Sequence, residues 1–334
     1  RDVLGSRGLG DVYKRQIMSR LYKDKSALLN GFVNLYKTDD MTSSDAVCIA
    51  RGALSKATGS RQKVGHLGTL DPLATGVLPI CLGSATKLFD LLAFKRKKYV
   101  ATFVFGTTTD TLDRGGKITS DNGKIPTLDE IRATIPRFVG EISQIPPLYS
   151  SKSVDGKRAY SYARQGVQIE LPPKNVIVYS ISADNLTNDT KGEYRFEIEC
   201  GGGTYIRSLA RDIAKALGTV GYMSSLERTV SGAFNAENAV NVSEFRNNPL
   251  PYVLPVEYAL KNFASYTLTE TETFKAVNGV NVPFDAERKT GVTDEPESNK
   301  TTENEFYFKT YSNEGKLLGI GKTDGRELRL TIRL

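Results

Sequence analysis

Between residues 65 and 79 the chain reads Gly65-His66-Leu67-Gly68-Thr69-Leu70-Asp71-Pro72-Leu73-Ala74-Thr75-Gly76-Val77-Leu78-Pro79, which sets one carboxylate among residues that clear and stiffen the backbone around it. Gly65, Gly68 and Gly76 reach backbone conformations closed to other residues. Pro72 biases Asp71 toward an extended backbone and fixes the chain beyond it. A carboxylate held in this way can stabilise or trap an oxocarbenium developing at a sugar carbon. It can equally cap a turn, the ordinary occupation of a loop Asp. A glycoside hydrolase needs a paired acid, and no second carboxylate in the motif region stands out. His66 is the single histidine of the chain, so a Ser-His-Asp enzyme would have to use it. Cys48, Cys81 and Cys200 lie far apart, which matches neither a zinc site nor a disulfide framework. Reduced thiols in a cytoplasm, and no metal centre, are the expectation.

The elements that must position Asp71 read as mixed α and β without regular βαβ repetition. Apolar sequence begins at Gly31-Phe32-Val33-Asn34-Leu35. Ser43 or Ser44 is expected to cap a helix carrying Val47, Ala50 and Leu54 on one face. A short strand, Val77 to Leu82, should follow the glycine-rich loop, and a helix should open at Ser84–Leu88. Tyr99–Phe105 is β-branched and aromatic, a strand pattern, and Tyr194–Cys200 alternates like a strand with one buried face. Pro126–Phe138 predicts a helix with Thr127 as its cap. A further helix places Ile206, Leu209, Ala210, Ile213 and Leu217 on its apolar side.

Two stretches differ from this pattern. Residues 145–173 open with Pro146-Pro147, close with Pro172-Pro173, and are polar, basic and Tyr-rich between; they should project from the body. After about residue 264 short strands and turns take over, interrupted by an acidic insert, 285–305, expected to be a mobile loop. Residues 1–17 show no apolar periodicity and are expected to be a non-native or disordered extension, with Met18 the native start. The 334 residues are enough for two domains, and the formal net charge of +7 is compatible with binding a polyanion. No apolar run of about 18 residues exists, so no membrane span is expected.

Residues 65–76 match, over twelve consecutive positions, a pattern that resembles the signature of the TruB family of pseudouridine synthases, G-H-x-G-T-L-D-P-L-A-T-G. Lys98-Tyr99 resembles the family's basic-Tyr motif. Gly203-Thr204-Tyr205-Ile206-Arg207 resembles its G-T-Y-I-R segment, and Leu226-Glu227-Arg228-Thr229 its L-x-R-T segment. The family's D-K-P-x-G-M-T-S motif is Tyr36-Lys37-Thr38-Asp39-Asp40-Met41-Thr42-Ser43 here, so Lys37 and Met41-Thr42-Ser43 are kept while the Asp, Pro and Gly are not.

The resemblance implies an α+β catalytic domain over residues 18–264, with a central mixed or antiparallel sheet flanked by helices, and a small β-rich PUA-like RNA-binding domain over 265–334. It implies isomerisation of a uridine in the T-loop of tRNA to pseudouridine on a flipped nucleotide, without cofactor or obligate protein partner. Asp71 maps to the catalytic carboxylate, Tyr99 and Tyr205 to the active-site tyrosines, Arg207 to the partner of the aspartate, Leu226 to the base pocket, and His66 to the residue that fills the space the base vacates. Segment 145–173 resembles the family's thumb loop.

These residue types suit that chemistry. A guanidinium aims a carboxylate. A tyrosine stacked on the flipped base contributes ~1–3 kcal/mol, although a core tyrosine has the same sequence appearance. Which of Tyr99 and Tyr205 removes the C5 proton stays open. Lys98, at the end of the run Lys95-Arg96-Lys97-Lys98, is a candidate phosphate contact, as are Lys152, Lys157, Arg158 and Arg164 in the projecting segment. Two other readings remain compatible with the motifs: an RNA-binding or tRNA-folding protein with vestigial chemistry, and a guide-RNA-dependent relative within a ribonucleoprotein.

Overall fold

The computed structural model describes residues 28–93, 95–121, 123–150, 171–186, 192–291 and 306–334, together with the backbone of two short strands inside 151–170. The extension 1–17 and most of the projecting segment lie outside the described residues.

The chain order begins β1 (Gly31–Lys37), α1 (Ser43–Thr58), β2 (Val64–His66), β3 (Thr75–Leu82), a 3-10 turn over Gly83–Leu88, and α2 (Phe89–Leu92). It continues with β4 (Lys97–Phe105), β5 (Thr108–Thr109), β6 (Ile118–Ser120), α3 (Leu128–Thr134), β7 (Gly140–Gln144), β8 (Ser153–Val154) and β9 (Lys157–Arg158). Then come β10 (Lys174–Asn185), β11 (Glu193–Cys200), α4 (Ile206–Ala216), β12 (Gly221–Ser231), β13 (Phe234–Asn235), β14 (Val240–Asn241), α5 (Val242–Asn247) and α6 (Val256–Ala259). The C-terminal part holds β15 (Ser265–Thr267), α7 (Glu270–Val277), β16 (Val282–Pro283), β17 (Lys289–Thr290), β18 (Phe306–Tyr311), β19 (Leu317–Thr323) and β20 (Glu327–Arg333).

Ten strands form one mixed sheet whose main path runs β14-β1-β3-β12-β4-β11-β10-β7. The β3–β12 and β1–β14 pairs are parallel and the others along the path antiparallel. The alternation of side chains decides what each face meets. Val33 and Leu35 of β1 and Leu78 and Ile80 of β3 point into the larger core, under α1 and α4. Phe32, Val77 and Cys81 point the other way, into a second core with Leu88, Leu92, Phe263 and Ile320. On β4 and β11 one face carries the core: Tyr99, Ala101, Phe103 and Phe105 lie with Tyr194, Phe196, Ile198 and Cys200, while Val104 is buried on the other face of β4. Phe103 and Phe196 close that face with ring centroids 4.3 Å apart.

A second, six-stranded sheet, ordered β16-β20-β19-β18-β15-β17, forms the β-rich C-terminal part. It has its own core around Tyr266, Phe308, Leu328 and Leu330, and its Ile320 is shared with the first sheet.

Four expectations need correction. The cap of α1 is Thr42, which makes a reciprocal capping box with Asp45, and Ser43 turns inward instead. The segment at Ser84–Leu88 is a 3-10 turn. Thr127 does cap α3, but the helix stops at Thr134, because Pro136 lacks the N–H needed to continue it. The first part of the acidic insert is built into the second sheet: Asp285 caps a 3-10 turn and Lys289–Thr290 pair with Ser265–Tyr266. Residues 292–305 lie outside the described residues.

Candidate active site

Asp71 sits in the turn between β2 and β3, and three anchors hold that turn. Ala74 N donates to Asp71 O at 3.0 Å. The Ser43 hydroxyl, at the first turn of α1, accepts from Leu70 N at 2.9 Å and donates to Leu70 O at 3.0 Å. The Lys37 ammonium donates to Pro72 O and to Thr38 O, both at 2.9 Å. Lys37 is fully buried, and burial lowers its pKa to about 8, against the raising influence of Asp39 and Asp71. Asp40, where the family motif has Gly, adopts φ +56°, a left-handed conformation that Asp tolerates better than most residues. The loop therefore keeps a shape suited to glycine without one. In the signature itself Gly68 and Gly76 have φ of +98° and +102°.

Arg207 comes from the first turn of α4 and is 5% exposed. Its Nη2 donates to Asp71 Oδ1 at 2.9 Å and to Tyr149 O at 2.9 Å, while Nη1 donates to Thr111 O at 3.1 Å and lies 3.3 Å from Asp113 Oδ2. Asp113 was not singled out from sequence. It is buried and receives the Thr111 hydroxyl at 2.7 Å and Gly115 N at 3.0 Å on Oδ1. One guanidinium thus joins two carboxylates, but only Asp71, with its side chain 29% exposed, faces solvent to an appreciable degree. Leu112, at φ +61°, sits between Thr111 and Asp113, a conformation costly for a branched side chain, and the bend turns both neighbours toward Arg207.

Tyr99 lies on the buried face of β4, close enough to feel the charge of Asp71; burial raises its pKa to about 12, against the lowering influence of Arg228. Tyr205 occupies the N-cap position of α4 without a side-chain capping bond, and its backbone is clamped by the Gln144 side chain, which accepts from Tyr205 N at 2.8 Å and donates to Tyr205 O at 3.1 Å. Burial raises the Tyr205 pKa, offset in part by Ser150 and by Arg207. Leu226 is buried on the same sheet face as Tyr99, opposite Ala101. His66, on β2, is largely buried, its Nδ1 has no partner among the described residues, and burial together with Arg228 lowers its pKa. Its neutral form therefore prevails near neutral pH.

The structure brings Arg207, Tyr99 and Tyr205 to Asp71, sets Leu226 on the same sheet face as Tyr99, and leaves His66, on β2, near Arg228. It separates the basic run. Lys98 is exposed and 3.5 Å from Glu199, Arg96 bonds the same carboxylate at 3.2 Å, and Lys97 points inward, 7% exposed. Lys152 and Arg164 lie outside the described residues, and of Lys157 and Arg158 only the backbone, in β9, is described. Sequence reasoning missed Asp113, Gln144 and Arg228. Arg228 alone carried a signal, as the arginine of the L-x-R-T segment, to which the sequence reading gave no role. Among the described residues no group of three or more His, Cys, Asp or Glu side chains could hold a metal ion, the three cysteines are free thiols, and no helix is long and apolar enough to cross a membrane.

Comparison with known proteins identifies the family of the chain. Residues 56–206 match the model of the TruB family pseudouridylate synthase N-terminal domain, and residues 207–261 that of the tRNA pseudouridylate synthase B C-terminal domain. A tRNA pseudouridine synthase B of Caldanaerobacter subterraneus subsp. tengcongensis is 38% identical over 303 residues, 90% of this chain and 98% of that protein. Its counterpart in Caulobacter vibrioides is 40% identical over 270 residues, 77% of this chain and 82% of that protein. Among solved structures, a Cbf5-Nop10-Gar1 complex aligns with a TM-score of 0.63 at 25% identity, covering 88% of this chain and 78% of that one. An H/ACA RNP bound to a substrate RNA aligns with a TM-score of 0.62 at 22% identity, with the same coverage. The chain belongs to the TruB family of pseudouridylate synthases.

Proposed function

We propose that the protein converts a uridine in the T-loop of tRNA to pseudouridine, with Asp71 as the carboxylate that meets C1′ of a flipped nucleotide. The observation that carries this reading is the Asp71–Arg207 contact at 2.9 Å. One carboxylate oxygen is aimed by a buried guanidinium, and the other, Oδ2, has no protein hydrogen-bond partner among the described residues.

In this mechanism the N1–C1′ bond breaks and its electron pair goes to the base, while the Asp71 carboxylate stabilises or traps the cationic sugar carbon. The base turns, C5 bonds to C1′, the C5 proton leaves, and N1 ends protonated. Atoms and electrons balance within the nucleotide, as an isomerisation requires. Tyr99 carries the base and Leu226 lines its pocket. Both Tyr99 and Tyr205 are neutral phenols near pH 7, since burial pushes each pKa up. A tyrosine that takes the C5 proton must pass on its own hydroxyl proton in the same step. A uridine inside the folded T-arm is out of reach until flipped, and in this reading neutral His66 fills the vacated stack. Lys98, with Lys152, Lys157, Arg158 and Arg164 of the projecting segment, supplies phosphate contacts in this reading, and the C-terminal sheet acts as a PUA-like second RNA contact in a cytoplasmic enzyme.

The purified chain, given a bare T-arm stem-loop tritiated at uridine C5, is expected to release tritium and form pseudouridine. Asp71→Asn should bind the stem-loop within about threefold of wild type yet form product roughly a thousandfold more slowly. Full activity of that variant removes Asp71 from the mechanism. Wild-type protein inactive on the bare stem-loop but active within a guide-RNA complex would favour the ribonucleoprotein reading.

A further inference from the structure

Arg228 is the largest fully buried side chain among the described residues, at 1% exposure. A second cation, Lys97, is buried beside it. Lys97 Nζ and Arg228 Nη1 lie 3.6 and 3.8 Å from the point where a Cβ on Gly68 would stand. Among the described residues no carboxylate pairs with either. Burying unpaired cations costs stability, and apolar side chains of the same volume would hold a core better. The pair therefore calls for a role other than packing.

The contacts of Arg228 indicate which role. Its Nε donates to Val77 O at 2.8 Å and its Nη2 to Gly68 O at 3.1 Å. Gly68 precedes the Asp71 turn and Val77 follows it, so one planar guanidinium spans both flanks of the turn. Arg228 also stands directly opposite Tyr99 in the β12–β4 register, on the same sheet face, and bears on the Tyr99 hydroxyl. On the other side β12 pairs with β3 at Gly76, where a Cβ would fall 2.3 Å from Arg228 O, so only glycine lets the two backbones approach this closely. Lys97, anchored to Ala93 O at 2.7 Å, closes the remaining side of Gly68.

We propose that Arg228 is a positioning residue for the reaction, acting through Tyr99 and through the turn that carries Asp71 to fix the height of the aromatic platform relative to the carboxylate. The proposal rests on the reading that Tyr99 supports the flipped base and Asp71 meets the sugar. A guanidinium suits the task because its donors diverge in one rigid plane, whereas an ammonium on a flexible stem sets no fixed angle between its acceptors. Arg228 contacts no part of the outer surface, so its loss should leave RNA binding in place and degrade the geometry of the reacting groups.

The test uses the full chain, the T-arm stem-loop and a double-mutant cycle with Tyr99→Phe. Arg228→Gln is expected to lower kcat about 100-fold, with KM within about threefold of wild type. Because Tyr99→Phe removes the hydroxyl that Arg228 bears on, the same substitution in that background should lower kcat by less than about tenfold. Arg228→Lys, which keeps the charge and serves as the folded comparison if the Gln variant does not fold, should lose about tenfold. With 13C at the tyrosine ζ carbon, the Tyr99 resonance should move in either variant. The proposal is overturned if both variants keep kcat within about threefold, if the losses simply multiply in the cycle, or if the Tyr99 resonance does not move. The resonance does not depend on turnover, so a wild-type chain inactive on the stem-loop would count against the functional reading and leave the clamp separately testable.

Discussion

At the scale of single residues, the site turns on how much one guanidinium is asked to hold. Arg207 reaches two carboxylates and two carbonyls from a position 5% exposed to solvent. Those four acceptors come from three separate stretches of chain: the Asp71 turn, the loop after β5, and the stem of the projecting segment at Tyr149. Arg207→Lys keeps the charge and loses the fork. A lysine aimed at Asp71 would leave Asp113, Thr111 O and Tyr149 O short of a donor in a buried place. We expect kcat to fall about 100-fold, because a carboxylate displaced by about 1 Å loses its alignment with the reacting carbon. Stem-loop affinity should stay within about threefold. Steady-state kinetics beside a filter-binding isotherm checks this, and an unchanged kcat would mean that charge alone, without the fork, orients Asp71.

At the scale of elements, neighbouring residues at the start of α1 do different work. Thr42 caps the helix, and Ser43, one position on, holds Leu70 by its backbone N–H and carbonyl. Thr42→Ala should cost about 1 kcal/mol of stability, the usual worth of a cap, and leave kcat unchanged. Ser43→Ala leaves two buried backbone groups unsatisfied, a loss of about 1–3 kcal/mol, and loosens the residue before Asp71, so kcat should drop as well. Urea unfolding and turnover measured side by side separate the two; equal kcat values would detach α1 from the site. The same contrast shows what sequence can convey. The β4 and β11 strands and the Thr127 cap were legible because alternation and capping are local. The twelve-residue signature made Asp71 a candidate, and its Gly68 and Gly76 stand at positive φ, where other residues are strained. Sequence offers Ser43 or Ser44 as the cap because the pairing of Ser43 with Leu70 spans 27 residues, and Asp113 escapes it because it meets Arg207 only through a fold that joins distant loops. Arg228 likewise reaches Gly68 across 160 residues, and no periodicity within one strand encodes such a contact.

At the scale of the molecule, the two sheets share a core through Ile320, and the buried cations behind the site affect the stability of the whole chain. Lys97 is 7% exposed, and burial, reinforced by Arg228, lowers its pKa to about 8. In the unfolded chain the value returns to about 10.4. Between those values the unfolded state binds more protons than the folded one, so this group makes stability rise with pH. Below pH 8 both states carry the charge and the burial penalty stands in full. Two groups of opposite sense limit the window. Burial raises the Cys81 and Cys200 thiols to about 11, and as their unfolded counterparts ionise from about pH 8.5 upward they make stability fall with pH. The lysine contribution is thus best seen between pH 8 and 9, where it should amount to about 1 kcal/mol. Lys97→Met keeps the volume and removes the titration. Its gain on going from pH 8 to 9 should be smaller than that of the wild type by about that amount, and at pH 7 the variant should be the more stable of the two. Urea midpoints at pH 7, 8 and 9 decide it: parallel pH profiles for the two proteins would mean that Lys97 stays charged in the fold throughout, held by contacts stronger than its bond to Ala93 O.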